Sequence, residues 1–165
     1  MLGGSDALSA SVRSARRRGY IVLLGTALLV FIADHLTKWL VTQHLAPSGE
    51  LFRSSPVTIS YVQNRGAAFG LFPQFQWLYL LVAVVVGLYI VLIGPRYGTG
   101  VFRQVILGMI LGGAVANGVD RLTQGYVVDF INLHWWPVFN LADSSIVLGI
   151  IIAVLTFGFR RQVSE

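Results

Sequence analysis

Four long apolar segments limit what this chain can fold into. Trp77 to Gly94 runs 18 residues without a charge, and Gln104 to Val119 and Ser144 to Phe159 run 16 each. Tyr20 to Val41 runs 22, interrupted only by Asp34, His35 and Lys38. A helix needs about 20 mostly apolar residues to cross about 30 Å of hydrocarbon. Lipid offers no partner to an open backbone N–H or C=O, so such segments must close their own hydrogen bonds. With their flanks, all four segments can span. The expected fold is an all-α membrane protein with four transmembrane helices, a single integral membrane domain over 1–165. Composition agrees: 55% of the residues are hydrophobic and 12% charged, where a soluble domain carries about 25% charged residues.

Against that background, the acids are misplaced. The chain has seven acidic residues, and Asp34, Asp120, Asp129 and Asp143 fall inside or against the apolar segments. An ionised carboxylate at the bilayer centre costs roughly 2.5–3.5 kcal/mol on insertion scales, so these four are a functional signal. They mark a catalytic site or an ion pathway.

The net charge of +5 could suggest nucleic acid, but its distribution argues against that partner. Arg13, Arg16, Arg17 and Arg18 precede the first apolar segment, Arg96 and Arg103 lie between the second and third, and Arg160 and Arg161 follow the fourth. Eight of the twelve basic residues thus share one side, which the positive-inside rule makes cytoplasmic. Both termini are expected there, with the loops around 45–75 and 123–140 outside. A secretory or twin-arginine signal is disfavoured, because Asp34-His35-Leu36-Thr37-Lys38 follows the apolar run instead of a small-residue cleavage site. Without cysteine there is no thiol chemistry, Cys-based metal site or disulfide framework.

Residues 1–15, rich in Ser, Ala and Gly, are expected to form a disordered cytoplasmic tail. The outer loop at 46–73 alternates β-branched and aromatic residues through Leu51-Phe52, Val57 to Val62 and Ala67 to Phe69. That pattern predicts a small extracytoplasmic β-sheet, a cradle over the site. Tyr126-Val127-Val128 predicts a short strand or turn, and Trp135-Trp136 an interfacial aromatic belt. Gly108, Gly112 and Ala116 recur every four residues with Gly113 beside them. Such spacing lets helix backbones approach closely. Packing within one chain is the favoured reading and a dimer motif the weaker alternative; the protein is expected to be a monomer.

The polar residues fall into groups. Asn117, Asp120 and Arg121 stand at i, i+3 and i+4, on one helix face. Asp120 and Arg121 are expected to satisfy each other as paired ions. Asn140 and Asp143 stand at i, i+3 at the start of the fourth segment, and Asp129 lies between the two groups. Asp34 and Lys38, at i, i+4, can neutralise each other, and are expected to orient the first helix and help hold a substrate backbone. Two carboxylates sharing a proton can activate water, the ionised one as base and the protonated one polarising a carbonyl, because neighbouring like charges force their pKa values apart. The three histidines lack metal-ligand spacing, and no serine stands in a Gly-x-Ser-x-Gly elbow. No metal or cofactor is expected. By chemistry alone a hydrolase competes with an ion-coupled transporter. The acids gather near one interface where transporter sites lie at the midplane, which favours the hydrolase. A scaffold subunit would leave the carboxylates unexplained.

Five stretches carry a family resemblance: Asp34-His35-Leu36-Thr37-Lys38, Asn64-Arg65-Gly66-Ala67-Ala68-Phe69, Gly112 through Arg121, Val127-Val128-Asp129-Phe130, and Phe139-Asn140-Leu141-Ala142-Asp143-Ser144. In this order, the chain resembles the bacterial lipoprotein signal peptidase (signal peptidase II) family over nearly its whole length. The resemblance implies an intramembrane aspartic endopeptidase of the bacterial cytoplasmic membrane, its site toward the extracytoplasmic face. Such enzymes remove signal peptides from diacylglyceryl-modified prolipoproteins, cutting before the lipidated cysteine. It implies Asp129 and Asp143 as the catalytic pair, and Asp34, Lys38, Asn64, Asn117, Asp120, Arg121 and Asn140 as substrate-binding or supporting residues. The implied partners are lipid-modified prolipoproteins, membrane lipids and globomycin-type inhibitors. Where the family often has Gln after the first aspartate, this chain has His35. Its asparagine motif reads Asn64-Arg65-Gly66, and 14 positions separate Asp129 from Asp143, a short connection for the family.

Overall fold

The computed structural model describes residues 3–53, 55–66, 73–94 and 100–158. In chain order these form helix α1 (Gly3–Leu45), strands β1 (Glu50–Leu51) and β2 (Thr58–Asn64), helix α2 (Gln76–Ile93), helix α3 (Val101–Gln124), strand β3 (Val127–Asn132) and helix α4 (Leu141–Ala153). A 3-10 turn, Pro73–Phe75, leads into α2, and a π-helical turn, Val154–Gly158, extends α4.

Three of these helices are long and apolar enough to cross a membrane: α1 over Ala10–Leu45, α2 and α3. The fourth is a shorter apolar helix over Leu141–Thr156. The outward faces of α1, α2 and α4 expose large apolar side chains such as Leu29, Leu81 and Leu148. Exposed apolar surface on that scale suits contact with lipid. α1 begins at Gly3, so from there on the disordered tail expected at 1–15 is helix. The stretch holds no proline, and extending an existing helix is far easier than nucleating a new one.

α3 is the central helix and packs against α1, α2 and α4. Its small residues make this possible. A Cβ on Gly108 would lie 2.6 Å from the Leu23 carbonyl oxygen, and one on Gly112 would lie 2.5 Å from that of Ala27, both on α1. A Cβ on Gly113 would lie 2.5 Å from the Ala142 oxygen of α4. The glycine pattern therefore serves packing within the chain. Leu23, Ala27, Ile90 and Leu111 form the core between α1, α2 and α3.

The sheet is antiparallel, in the order β1-β2-β3. β2 has the expected place, but its inner partner β3 comes from the segment after α3; the expected strand at Ala67 to Phe69 lies outside the described residues. Gly125, at φ 74°, ends α3 in the left-handed conformation that glycine adopts most easily. The chain then turns straight into β3. Val128 and Phe130 pack on Val41 and Leu45 of α1, so the sheet rests on the end of the first helix. Side chains alternate along a strand, which turns Val127 and Asp129 to the other face.

Candidate active site

β3 carries Asp129, and the first turn of α4 carries Asp143. Local chemistry places the second. Asn140 is the N-cap of α4: its Oδ1 accepts the Asp143 N–H at 2.9 Å, while Asp143 Oδ2 accepts the Asn140 N–H at 3.2 Å. This reciprocal capping box satisfies two helix-end donors. It also fixes the Asp143 side chain back over the helix start.

The Asn140 amide reaches the other carboxylate, donating from Nδ2 to Asp129 Oδ1 at 2.7 Å. Asn140 is therefore bonded to both aspartates, and it is fully buried. Each carboxylate has a second amide donor. Asn64 Nδ2 donates to Asp129 Oδ2 at 2.7 Å, and Asn117 Nδ2 donates to Asp143 Oδ1 at 2.7 Å. In the β2–β3 register Val127 faces Asn64 and Asp129 faces Val62, so Asn64 and Asp129 are diagonal neighbours on one face. Asn64 Oδ1 accepts the Gly66 N–H at 2.9 Å, an Asx turn that orients its amide.

Asp129 and Asp143 line one cavity of about 210 Å³ with Asn64, Asn117, Arg121 and Trp136. Asp129 is 2% exposed. Burial, and then the Asp143 charge, push its carboxyl up to about 7, against the pull of the Asn64 and Asn140 amides. A second, more apolar cavity of about 390 Å³ shares Asn117, Arg121, Asp143 and Ile146 with the first and continues between α2, α3 and α4 past Tyr79, Val82 and Ile110.

Behind the aspartates lies a buried ionic cluster. Lys38 Nζ is 2.6 Å from Asp34 Oδ2 and 2.6 Å from Asp120 Oδ2, and it donates to Asn117 Oδ1 at 2.9 Å. Asp34 Oδ1 in turn accepts the Ala142 N–H at 2.8 Å. Asp34 and Lys38 form the expected pair. With exposures of 0% and 4% they are engaged inside the protein, where Asp34 braces the start of α4.

The expected Asp120–Arg121 ion pair is absent. Asp120 faces Lys38, while Arg121 donates to the backbone oxygens of Gly66 at 3.0 Å and Asn117 at 3.3 Å and lies over the Tyr79 ring. Consecutive helical residues do not face each other, so adjacent opposite charges turned to different partners. All nine residues singled out in the sequence still meet in one connected region. Tyr79, Trp136 and the Ala142 N–H were missed. The aromatics carried no signal beyond an apolar helix and an interface, and a backbone donor leaves none.

A polytopic helical membrane protein with buried carboxylates under a small sheet has the build of a membrane enzyme. Two solved bacterial membrane enzymes, determined by the in meso method at 2.3 and 1.9 Å, share the fold. Each is 25% identical to this chain and aligns with 87% of it, with TM-scores of 0.77 and 0.71, covering 91% and 94% of the solved chains. The chain belongs to the signal peptidase II family, whose model, described as signal peptidase (SPase) II, matches residues 26–159. It is 42% identical to a lipoprotein signal peptidase of Syntrophomonas wolfei over 84% of this chain and 95% of that protein. A lipoprotein signal peptidase of Mycobacterium tuberculosis H37Rv is 39% identical over 95% of this chain and 80% of its own length. That of Halothermothrix orenii is 36% identical over 88% and 99%. The chain is thus a protease of a membrane-enzyme family.

Proposed function

We propose that Asp129 and Asp143 are a catalytic pair that hydrolyses the peptide bond before the lipidated cysteine of a diacylglyceryl-modified prolipoprotein, releasing its signal peptide. The observation that carries this reading is Asn140 bonded to both carboxylates at the wall of one cavity. A substrate peptide in that cavity meets both acids.

The pair holds one proton between its two carboxyls, because two adjacent carboxylates resist ionising together. The ionised member takes a proton from water, and the resulting hydroxide oxygen bonds to the scissile carbonyl carbon. The protonated member gives its proton to the carbonyl oxygen, forming a neutral gem-diol. Return of one diol proton to a carboxylate and transfer of the other carboxyl's proton to the amide nitrogen break the C–N bond. Acid and amine leave, and the pair again holds one proton. Asn64, Asn117 and Asn140 orient the carboxylates through their amides, and Arg121 adds positive charge to the wall. No step requires a metal or cofactor.

The relatives' names, lipoprotein signal peptidase, support this substrate class. The apolar cavity between α2, α3 and α4 supports it too, since an apolar signal helix could enter sideways from lipid and present its end at Asp143. Membrane anchoring then holds the scissile bond at the depth of the acids, which lowers the entropic barrier to attack. The chain acts as a monomer in the bacterial cytoplasmic membrane, with its basic helix ends inside and the sheet outside. Globomycin-type peptides bind the same cavity.

The test is cleavage of a diacylglyceryl-modified prolipoprotein by purified protein. Asp129→Asn and Asp143→Asn should each remain folded and lose activity on the order of 1,000-fold or more. Substantial turnover by either variant overturns the pair.

A further inference from the structure

The arginines near the start of α1 form a pattern that the reaction does not use. Arg13, Arg16, Arg17, Tyr20, Ile21 and Leu24 line an open groove of about 370 Å³. They stand at i, i+3, i+4, i+7, i+8 and i+11, which is one continuous helix face. Along that face the chemistry changes in order. Three guanidiniums come first, then a phenol, then two aliphatic side chains. The three arginines are exposed, and Ile21 and Leu24 are 64% and 49% exposed. Among the described side chains no carboxylate pairs with any of these arginines. The sequence holds no acid between Asp6 and Asp34.

The depth of the groove matches this order. Lys38 lies in the ionic cluster behind the aspartates. Arg17 stands 21 positions before it on the same helix, about 32 Å away at the α-helical rise. That is close to the roughly 30 Å of hydrocarbon in a bilayer. With the aspartates at one interface, Arg17 reaches the headgroups of the opposite leaflet. Arg13 lies about one turn further out, and Ile21 and Leu24 lie among the acyl chains. Tyr20 donates from its hydroxyl to the Val91 oxygen of α2 at 3.3 Å, which holds the middle of the groove in place. Arginine's planar fork fits the oxygens of a phosphate.

We propose that this face of α1 binds one anionic phospholipid, its phosphate held by Arg13, Arg16 and Arg17 and an acyl chain lying along Ile21 and Leu24. Charge complementarity selects the headgroup. Three guanidiniums without an acidic partner attract a lipid of net negative charge, and they repel the cationic end of a zwitterionic one. A free phosphate would satisfy the arginines and leave the aliphatic end of the groove empty. A lipid with chains and an anionic headgroup answers both ends. Arg18 supplies the contrast. It carries the same charge one residue on, but lies about 100° further round the helix and outside the groove. Diffuse attraction between a basic helix end and an anionic surface counts Arg18 equally; a site on one face does not. The lipid site stands independently of the catalytic role of Asp129 and Asp143.

The experiment titrates the full chain in detergent with phosphatidylglycerol or phosphatidylcholine and counts bound lipid by native mass spectrometry. Wild type should hold its first phosphatidylglycerol roughly tenfold more tightly than phosphatidylcholine. Arg16→Gln and Arg17→Gln should each weaken that lipid by roughly threefold to fivefold, and the triple variant with Arg13→Gln should bring the two lipids to similar affinity. Arg18→Gln should stay within about twofold of wild type. Equal losses from Arg17→Gln and Arg18→Gln reduce the effect to diffuse charge and overturn the site. Excess glycerol 3-phosphate, which has the anion without the chains, should leave the lipid bound; displacement by it means a phosphate site and overturns the proposal too. All four positions are exposed, so the variants should unfold at the wild-type temperature without added lipid. A ligand of the folded state raises its stability. Added phosphatidylglycerol should therefore raise the midpoint of wild type and Arg18→Gln but not of the triple variant, and an equal rise in all three overturns the proposal.

Discussion

Asp34 Oδ1 accepts the backbone N–H of Ala142 at 2.8 Å, a bond across 108 positions of sequence. A side chain of the first helix thereby caps the fourth, one residue before Asp143. N–H groups in a helix's first turn have no partner within the helix, and the same end carries the positive pole of the helix dipole. A buried carboxylate answers both needs, and Lys38 offsets its charge.

Lys38 holds two buried carboxylates, so its loss should be severe. Lys38→Met should lower stability by about 3–5 kcal/mol, the usual cost of leaving buried charge unpaired. Adding Asp34→Asn should recover part of that loss, since the amide still accepts from Ala142. A double-mutant cycle read by thermal unfolding should give a coupling of roughly 0.5–3 kcal/mol. Simple additivity would show that the two side chains do not interact.

Asn140 joins a cap to a bridge, and one substitution separates them. Serine still accepts the Asp143 N–H as an N-cap but has no amide for Asp129. Asn140→Ser should unfold at a higher temperature than Asn140→Ala, by roughly 1 kcal/mol of capping, while both lose most cleavage. Near-normal cleavage by the serine variant would remove the bridge from the mechanism.

Asn64→Ala takes one of two amides from Asp129 while leaving the β2–β3 backbone ladder in place. Cleavage should fall by roughly 10- to 100-fold, a loss of about 1.5–3 kcal/mol for a hydrogen bond to a charged group. The circular dichroism spectrum and unfolding midpoint should stay close to wild type. A fully active variant would make this contact incidental.

The pH dependence has a definite sign. Asp129 lies near 7 in the folded protein, against an ordinary value of 3.8. Between those values the folded protein keeps a proton that the unfolded chain releases, so this group's contribution to stability falls as pH rises and levels off above about 7. Asp129→Asn should flatten the thermal midpoint across that window. Wild-type cleavage should decline as pH rises through about 7, where the pair loses its shared proton. A midpoint profile identical in both proteins would refute the perturbed carboxyl.

Glycines of similar sequence context should behave in opposite ways. At Gly113 a methyl group would lie 2.5 Å from the Ala142 carbonyl oxygen and displace the start of α4, so Gly113→Ala should reduce both stability and cleavage. Gly25 has nothing within 4 Å of an added Cβ. Gly25→Ala should therefore stabilise the protein by roughly 0.5–1 kcal/mol, the usual helix preference for alanine. Equal responses in thermal unfolding would contradict the packing described for α3.

The helical architecture was legible because it follows from a one-dimensional constraint. A run such as Trp77 to Gly94 cannot leave its backbone open in lipid, and composition alone reports that. Asp34, Asp120, Asp129 and Asp143 were legible for a related reason, since charge amid apolar sequence needs an explanation whatever the fold. The i, i+3 spacing of Asn140 and Asp143 and the i, i+4 spacing of Asp34 and Lys38 are helix geometry written into residue numbers.

Tertiary structure decided which partner each polar group took. Periodicity put Asp120 and Arg121 at one helix end, but Lys38 on α1 and the Gly66 oxygen after β2 drew them apart. The inner partner of β2 arrived from beyond α3, and Ala142 offered Asp34 a backbone donor with no sequence mark at all. Hydrogen bonds between elements depend on packing at the scale of a single methyl group, set here by Gly108, Gly112 and Gly113. Periodicity names the face on which a side chain lies; only the packed helices determine what meets it there.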